Sequence, residues 1–382
     1  MSRIASASIS ARLDRWIFES WNFSPRALGL FRIFYALFVL FIIMPSQPPY
    51  VYYGFLTDLP QELFFPPPGI MMLFGGFPPA WFFSGIELLL VVSLTGILIG
   101  WKTSFFSIFA GLLIFAGNGF SFSMGKINHD MLLPLVPLIM AFSNWGARFS
   151  LDSAAAGSPK DVQSWPAVLL SLLLGYMMMT AGFAKLLGGW LDVTTQATYG
   201  HLLNQHFVNG RTGLLSSFFV GLEQPVFWIF LDYATIIFEI GFLPAVFFPH
   251  IFRFFVGFAV IFHFSVMVML NISFLPNLGA YSLFLINWNC IARHRPALMN
   301  ALQAAFGHLR QLPAWVRACL GGVLAAGFYV FNSPLALLDN WVAFPSDLLF
   351  HEVVVLSLYF LLALGVIITM MYKRFRQLPD CT

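Results

Sequence analysis

The sequence predicts an all-α, polytopic transmembrane helical bundle of about ten spans with both termini in the cytoplasm. Three observations carry that prediction. Of the residues, 59% are hydrophobic and only 9% are charged, against about 25% charge in a soluble domain. The apolar runs reach about 20 residues, the length at which an α-helix crosses a bilayer. The runs also lack the strict alternation of a barrel strand, and inside lipid only helices or closed barrels satisfy every backbone group.

The elements follow in order. Residues 1–26 form a cytoplasmic N-terminal segment. Its apolar stretch begins too late for a secretory signal, and no small-residue cleavage site follows. Ile4, Ile9, Leu13, Trp16 and Ile17 fall near one face, with Arg12 and Arg15 beside it. That pattern fits a helix lying on the membrane surface, and equally a plain positive flank. Spans are expected at 27–44, 80–100, 104–123, 127–143, 165–187, 225–247, 252–272, 275–289, 314–331 and 350–372. The eighth is short enough for a re-entrant piece.

Orientation follows from the 19 Lys and Arg residues. Fifteen fall on one set of segments, only Lys126 and Arg211 on the other, and Arg32 and Lys185 lie within spans. The basic side is the cytoplasmic side. The outer segment 45–79 is rich in proline and aromatics and holds no Lys or Arg. The chain divides into residues 1–26, a membrane domain at 27–290, and 291–382, a cytoplasmic loop with two further spans. No loop is long enough for a nucleotide-binding domain. Cys290, Cys319 and Cys381 fit neither a disulfide framework nor a metal spacing, so no metal is expected. The net charge of +3 serves topology, and nucleic acid is not an expected partner. No internal repeat is visible, so the inverted-repeat transporter signature is missing. The compact chain without a signal peptide points to a bacterial inner membrane.

Ionisable groups inside spans cost roughly 2.5–3.5 kcal/mol each and are functional candidates by default. They are Arg32, Glu87, Lys185, Asp232, Glu239 and His263, with His129 and Asp130 opening the fourth span. With the N-terminus inside, Lys185, His129 and Asp232 lie near the outer surface and share a layer. Glu239 is about two turns deeper than Asp232 on the same face. Each has a plainer explanation. Lys185 can snorkel to the outer headgroups. Arg32 can pair with a carboxylate such as Glu87 or Glu239. Asp232 and Glu239 can hold helices together, and His263 can be a satisfied contact between helices. Gly182, Gly188 and Gly189 around Lys185 allow close approach of a helix or of a flat ligand.

Four stretches occur in a telling order: "ALGLFRIFYALFVL" in the first span, "KINHDMLLPLVPLIMAFSNWGARFSLD" after the third, "YMMMTAGFAKLLGGWLD" closing the fifth, and "FHFSVMVMLNISFLPNLGAYSLFL" over 262–285. Together they resemble the HTTM (horizontally transferred transmembrane) family, whose membrane domain is shared with vitamin K-dependent gamma-glutamyl carboxylase. The resemblance covers about residues 22–290. It implies that Lys185 is the base that deprotonates a reduced quinone. It also implies that Asn128 and His129 position the quinone and carbon dioxide, and that His263 and Gly182 contribute to the cofactor site. The implied cofactor is reduced vitamin K or menaquinol, which reacts with dioxygen to give an epoxide and a base strong enough to form a glutamyl carbanion. The implied reaction is a carboxylation of the carbon–carbon lyase type. The large lumenal region with which the carboxylase captures its substrate has no counterpart here.

Three readings stay open. The first is a quinol-dependent oxygenase or carboxylase with an outward-facing site, acting on a peptide or a small acid. The second is a non-enzymatic membrane partner of another membrane or secreted protein, in peptide maturation, export or immunity. The third is a carrier for a lipid-soluble or anionic compound, its path lined by Arg32, Glu87, Asp232 and Glu239.

Overall fold

The computed structural model describes residues 9–46, 49–67, 70–122, 129–154, 161–331 and 348–376. The regular elements among the described residues are helical. They are α1 (Ile9–Glu19), α2 (Pro25–Ser46), α3 (Ala80–Ile99), α4 (Thr103–Ser121), α5 (Leu132–Met140), α6 (Trp165–Leu187), α7 (Ala197–Leu203), α8 (Ser216–Val220), α9 (Pro225–Ala245), α10 (Pro249–Leu270), α11 (Asn277–Leu285), α12 (Trp288–His294), α13 (Pro296–Gln311), α14 (Ala314–Phe331) and α15 (Phe350–Arg376).

Local chemistry starts and stops these helices. Ser24 caps α2 by accepting from the Ala27 N–H, and Pro25 takes the first position, where a missing donor costs nothing. Pro225 and Pro249 open α9 and α10 in the same way. Gly100, at φ +67°, ends α3 in the left-handed conformation.

Seven helices are long and apolar enough to cross a membrane: α2, α3, α4, α6, α9, α10 and α15. The chain is thus a multi-pass membrane protein. These seven coincide with seven of the ten expected spans. The other three differ. α5 and α11 have nine residues each, about 13.5 Å of helix, well short of a ~30 Å hydrocarbon core. Pro137 interrupts the hydrogen-bond ladder of α5, and α11 begins only after Pro276. α14 is apolar over Ala314–Tyr329 only.

The two short helices lie within return segments. Residues 129–149 run antiparallel to α4: Gly111 faces Leu138 and the Pro134 carbonyl, and Gly146 faces Thr103. Residues 271–285 return along α10, ending where the Arg253 side chain donates to the Leu285 carbonyl at 2.9 Å. Irregular backbone at membrane depth is tolerated where protein buries it. All nine residues of α11 are buried, as are seven of the nine in α5.

One end of the bundle is fixed by arginines. The Arg32 guanidinium donates to the carbonyls of Ile97, Leu98 and Phe149. Arg310, near the end of α13, donates to the Ser150 carbonyl at 2.8 Å. The start of α2, the end of α3, residues 149–150 and the end of α13 therefore meet at one level. At the opposite end Tyr50 faces Gly117 and Met71 faces Gly119. α6 and α9 pack as an antiparallel pair, Gly175 facing Leu243 and Val246, and Gly182 facing Glu239 and Ile240.

Candidate functional site

Lys185 sits near the C-terminal end of α6. Beyond Gly175, only Gly182 in this helix is buried, so the C-terminal half of α6 is open on the side away from α9. The Lys185 ammonium turns toward α9 and donates to both Glu239 oxygens, Oε1 at 2.7 Å and Oε2 at 2.6 Å. The Lys185 side chain is 24% exposed and that of Glu239 is 5% exposed. Gly182 makes this approach possible. A Cβ there would lie 2.8 Å from the Glu239 Cβ and 3.1 Å from the Ile240 nitrogen. The glycine thus admits a neighbouring helix, the first of the two uses the sequence left open for it. Trp190 folds back over the lysine, its ring centre 5.4 Å from Nζ, and packs on His201 at 5.4 Å. The Tyr233 hydroxyl holds that turn by donating to the Leu191 carbonyl at 2.8 Å.

A second set of polar groups adjoins the pair from α10 and α11. His263 is buried, its ring stacked on Phe274 at 4.3 Å and on Tyr281 at 5.7 Å. Tyr281 is within electrostatic reach of Glu239, and the Asn277 side chain lies within hydrogen-bonding reach of its hydroxyl. The Tyr281 hydroxyl, Asn277 Oδ1 and Ser273 Oγ are buried, and beyond the approach of Asn277 to Tyr281 they find no partner among the described residues. Each such orphan costs on the order of 1–3 kcal/mol. Of these, Tyr281 is in electrostatic reach of the ion pair, and buried groups so poorly satisfied suit a ligand or waters with complementary polar atoms. Asn277 and Tyr281 share a face of α11 because they are four residues apart. Lys185 of α6 and Glu239 of α9 form the ion pair, α11 brings Tyr281 within electrostatic reach of Glu239, and His263 of α10 stacks on Tyr281.

The remaining sequence candidates are dispersed. Asp232, expected in the layer of Lys185, instead caps α7. It accepts from the Ala197 and Thr198 N–H groups at 2.8 Å each and from the Thr198 hydroxyl. This satisfies orphan donors at a helix start. Arg32, expected to pair with Glu87 or Glu239, pairs with neither. Its partners are the Ile97, Leu98 and Phe149 carbonyls. The last carbonyls of α3 lack intrahelical donors, and a planar fork of N–H groups supplies them. Glu87 accepts from the Tyr50 N–H at 2.6 Å, and the Tyr50 hydroxyl donates to Asn118 at 2.8 Å. Arg32, Glu87, Asp232 and Glu239 therefore engage separate partners. Asn128 lies outside the described residues, and His129 opens a 3-10 turn at His129–Met131 of which only the backbone is described.

Ser273, Asn277 and Tyr281 were not singled out in the sequence, although "SFLPNLGAYS" contains them. The available signal was the pair of hydrogen-bonding side chains at Asn277 and Tyr281, spaced one helical turn apart inside an apolar run. Trp190 gave no signal, since an aromatic just past a span reads as an interface anchor. No family model, no curated protein and no solved structure matches the chain.

Proposed function

We propose that this chain is an intramembrane quinol-processing enzyme, resembling the HTTM membrane domain of vitamin K-dependent carboxylase, with Lys185 as the base. The observation that carries the reading is the bidentate Lys185–Glu239 pair with the buried Tyr281 hydroxyl in electrostatic reach of Glu239. A quinol is a flat apolar ring with a hydroxyl at each end. The surroundings of the pair offer it ring surfaces at Trp190 and His263 and the Tyr281 hydroxyl.

An ammonium cannot accept a proton. The Glu239 oxygens at 2.6 and 2.7 Å are placed to take one proton from Nζ. Nζ then carries a lone pair with which to remove a hydroxyl proton, the work of a positioned general base. Glu239 is in this account a positioning residue and proton acceptor. The Tyr281 hydroxyl is the donor available to an oxyanion. Reduced vitamin K or menaquinol, when bound, supplies the reducing equivalents and, with dioxygen, the strong base for a carbon acid. The acceptor is a peptide or a small acid approaching from the outer side. The membrane path in this reading has ten crossings, seven of them spanning helices and three shorter, with both termini at the arginine-rich cytoplasmic end of a bacterial inner membrane.

Photo-crosslinking tests the site. A photoreactive menaquinone, with the protein in nanodiscs, is expected to label peptides from α6, α9 and α11, and the labelling falls at least tenfold in Lys185→Ala. Labelling confined to the lipid-facing surface of α15 overturns the assignment. A second reading, a non-enzymatic partner of a membrane or secreted protein, is favoured by a different observation. Phe207, Val208 and Phe218 on the outer segment are each more than 60% exposed, and exposed apolar clusters mark docking surfaces. In that reading the Lys185–Glu239 pair only locks α6 to α9, and no quinone labels the layer.

A further inference from the structure

A cleft of about 330 Å³ opens between α3, the start of α4 and α14. Gly96 and Ile99 of α3, Phe106 of α4 and Gly321 and Gly322 of α14 wall it, and Trp101 and Arg317 stand at its rim. The two helices do not close on each other. A Cβ at Gly322 would meet nothing within 4 Å, and one at Gly321 would meet only the Ile99 Cδ1, at 3.8 Å. The walls are apolar apart from Thr95, whose hydroxyl is spent on the Val91 carbonyl at 2.8 Å. Nothing inside calls for water.

The rim is positively charged. The Arg317 guanidinium makes no hydrogen bond or ion pair among the described residues. Leu151 lines the cleft, and the adjoining Ser150 carbonyl accepts from Arg310 at 2.8 Å. Arg310 in turn feels the Arg148 charge. Lys102 adjoins Trp101, its ammonium 5.8 Å from the ring centre. Asp152, an acidic group nearby, is occupied by the Lys102 and Thr103 N–H groups at 2.8 and 2.7 Å and by the Thr103 hydroxyl at 2.7 Å. An apolar slot between helices with unpaired arginine at the basic end is the arrangement that holds an anionic lipid headgroup and its chain.

We propose that this cleft binds an anionic phospholipid from the leaflet at the basic end, its acyl chain between α3 and α14 and its phosphate on Arg317. The site is separate from the Lys185 layer, and its test does not depend on the quinol reading.

The experiment is native mass spectrometry of the full chain in mild detergent, with equimolar phosphatidylglycerol and phosphatidylcholine of identical chains. The wild type is expected to retain phosphatidylglycerol in preference. Arg317→Gln lowers its occupancy about fivefold, the worth of one interfacial arginine, and lowers that of phosphatidylcholine, whose choline offsets the phosphate charge, by less. Gly322→Leu fills the slot and releases both lipids; Ala318→Leu serves if that variant does not fold. Arg374→Gln, a basic position at the end of α15 away from the cleft, behaves as wild type. Equal retention of the two lipids, an unchanged Arg317→Gln profile, or full retention by both slot-filling variants overturns the proposal.

Discussion

Replacing Lys185 by Met removes one half of an ion pair whose other half is 5% exposed. At the observed separations of 2.6–2.7 Å, the gross attraction is about 6 kcal/mol at an effective dielectric of 20. Desolvation offsets much of it, and breaking a buried pair by removing one partner costs about 3–5 kcal/mol. Lys185 is 24% exposed, so the low end applies and Lys185→Met should cost about 3 kcal/mol. Glu239→Gln should cost less, roughly 1–2 kcal/mol, because the freed ammonium can reach outward along its stem. The double variant Lys185→Met/Glu239→Gln should cost at least about 1 kcal/mol less than the two singles together, since either single already loses the pair. The assay is equilibrium unfolding in mixed micelles, titrated with a denaturing detergent, for all four proteins. A double-variant cost equal to the sum of the singles, within about 0.5 kcal/mol, would refute the direct pairing on which the site rests.

Other outcomes follow from individual contacts. Gly182→Ala places a Cβ 2.8 Å from the Glu239 Cβ; α6 and α9 must part, at a cost of about 1–3 kcal/mol in the same titration. Arg32→Met leaves the Ile97, Leu98 and Phe149 carbonyls buried without their donor, which should lower stability by about 3 kcal/mol or more. Arg32→Lys should recover less than half of that, because a single ammonium does not reproduce the guanidinium fork. Tyr281→Phe removes a poorly satisfied buried hydroxyl whose neighbour is Asn277, so stability should change by less than about 1 kcal/mol while quinone crosslinking drops. Lowered stability with unchanged crosslinking would place that hydroxyl in the packing and not in the site.

Much of the fold was legible because long apolar runs have one solution in lipid. α6 was expected at 165–187 and runs over those residues. α5 and α11 were less legible. Hydropathy registers Leu132–Met140 and Asn277–Leu285 as apolar but does not distinguish a spanning helix from a short buried one completed by irregular backbone. Pro137 and Pro276 were the visible warnings. In the site, the sequence picked out Lys185, Glu239 and His263 by their charge or imidazole within apolar spans. It did not reveal the partner of each. Arg32 found carbonyls and Asp232 found a helix start, because backbone groups at helix ends compete with side chains for charge and leave no trace in composition. Tyr281 and Asn277 stayed hidden because hydroxyls and amides are common in membrane helices as packing contacts. Their significance depends on their surroundings, which only the fold discloses.

The central claim, that Lys185 and Glu239 act on a reduced quinone, is tested most directly by following its oxygenation. Purified protein in nanodiscs is supplied with reduced menaquinone and dioxygen, and quinone epoxide is measured by mass spectrometry for the wild type, Lys185→Ala and Glu239→Gln. The account predicts epoxide from the wild type, none above background from Lys185→Ala, and a drop of at least tenfold for Glu239→Gln. Absence of epoxide from folded wild-type protein, with and without a glutamyl peptide, or equal yields from all three, contradicts it.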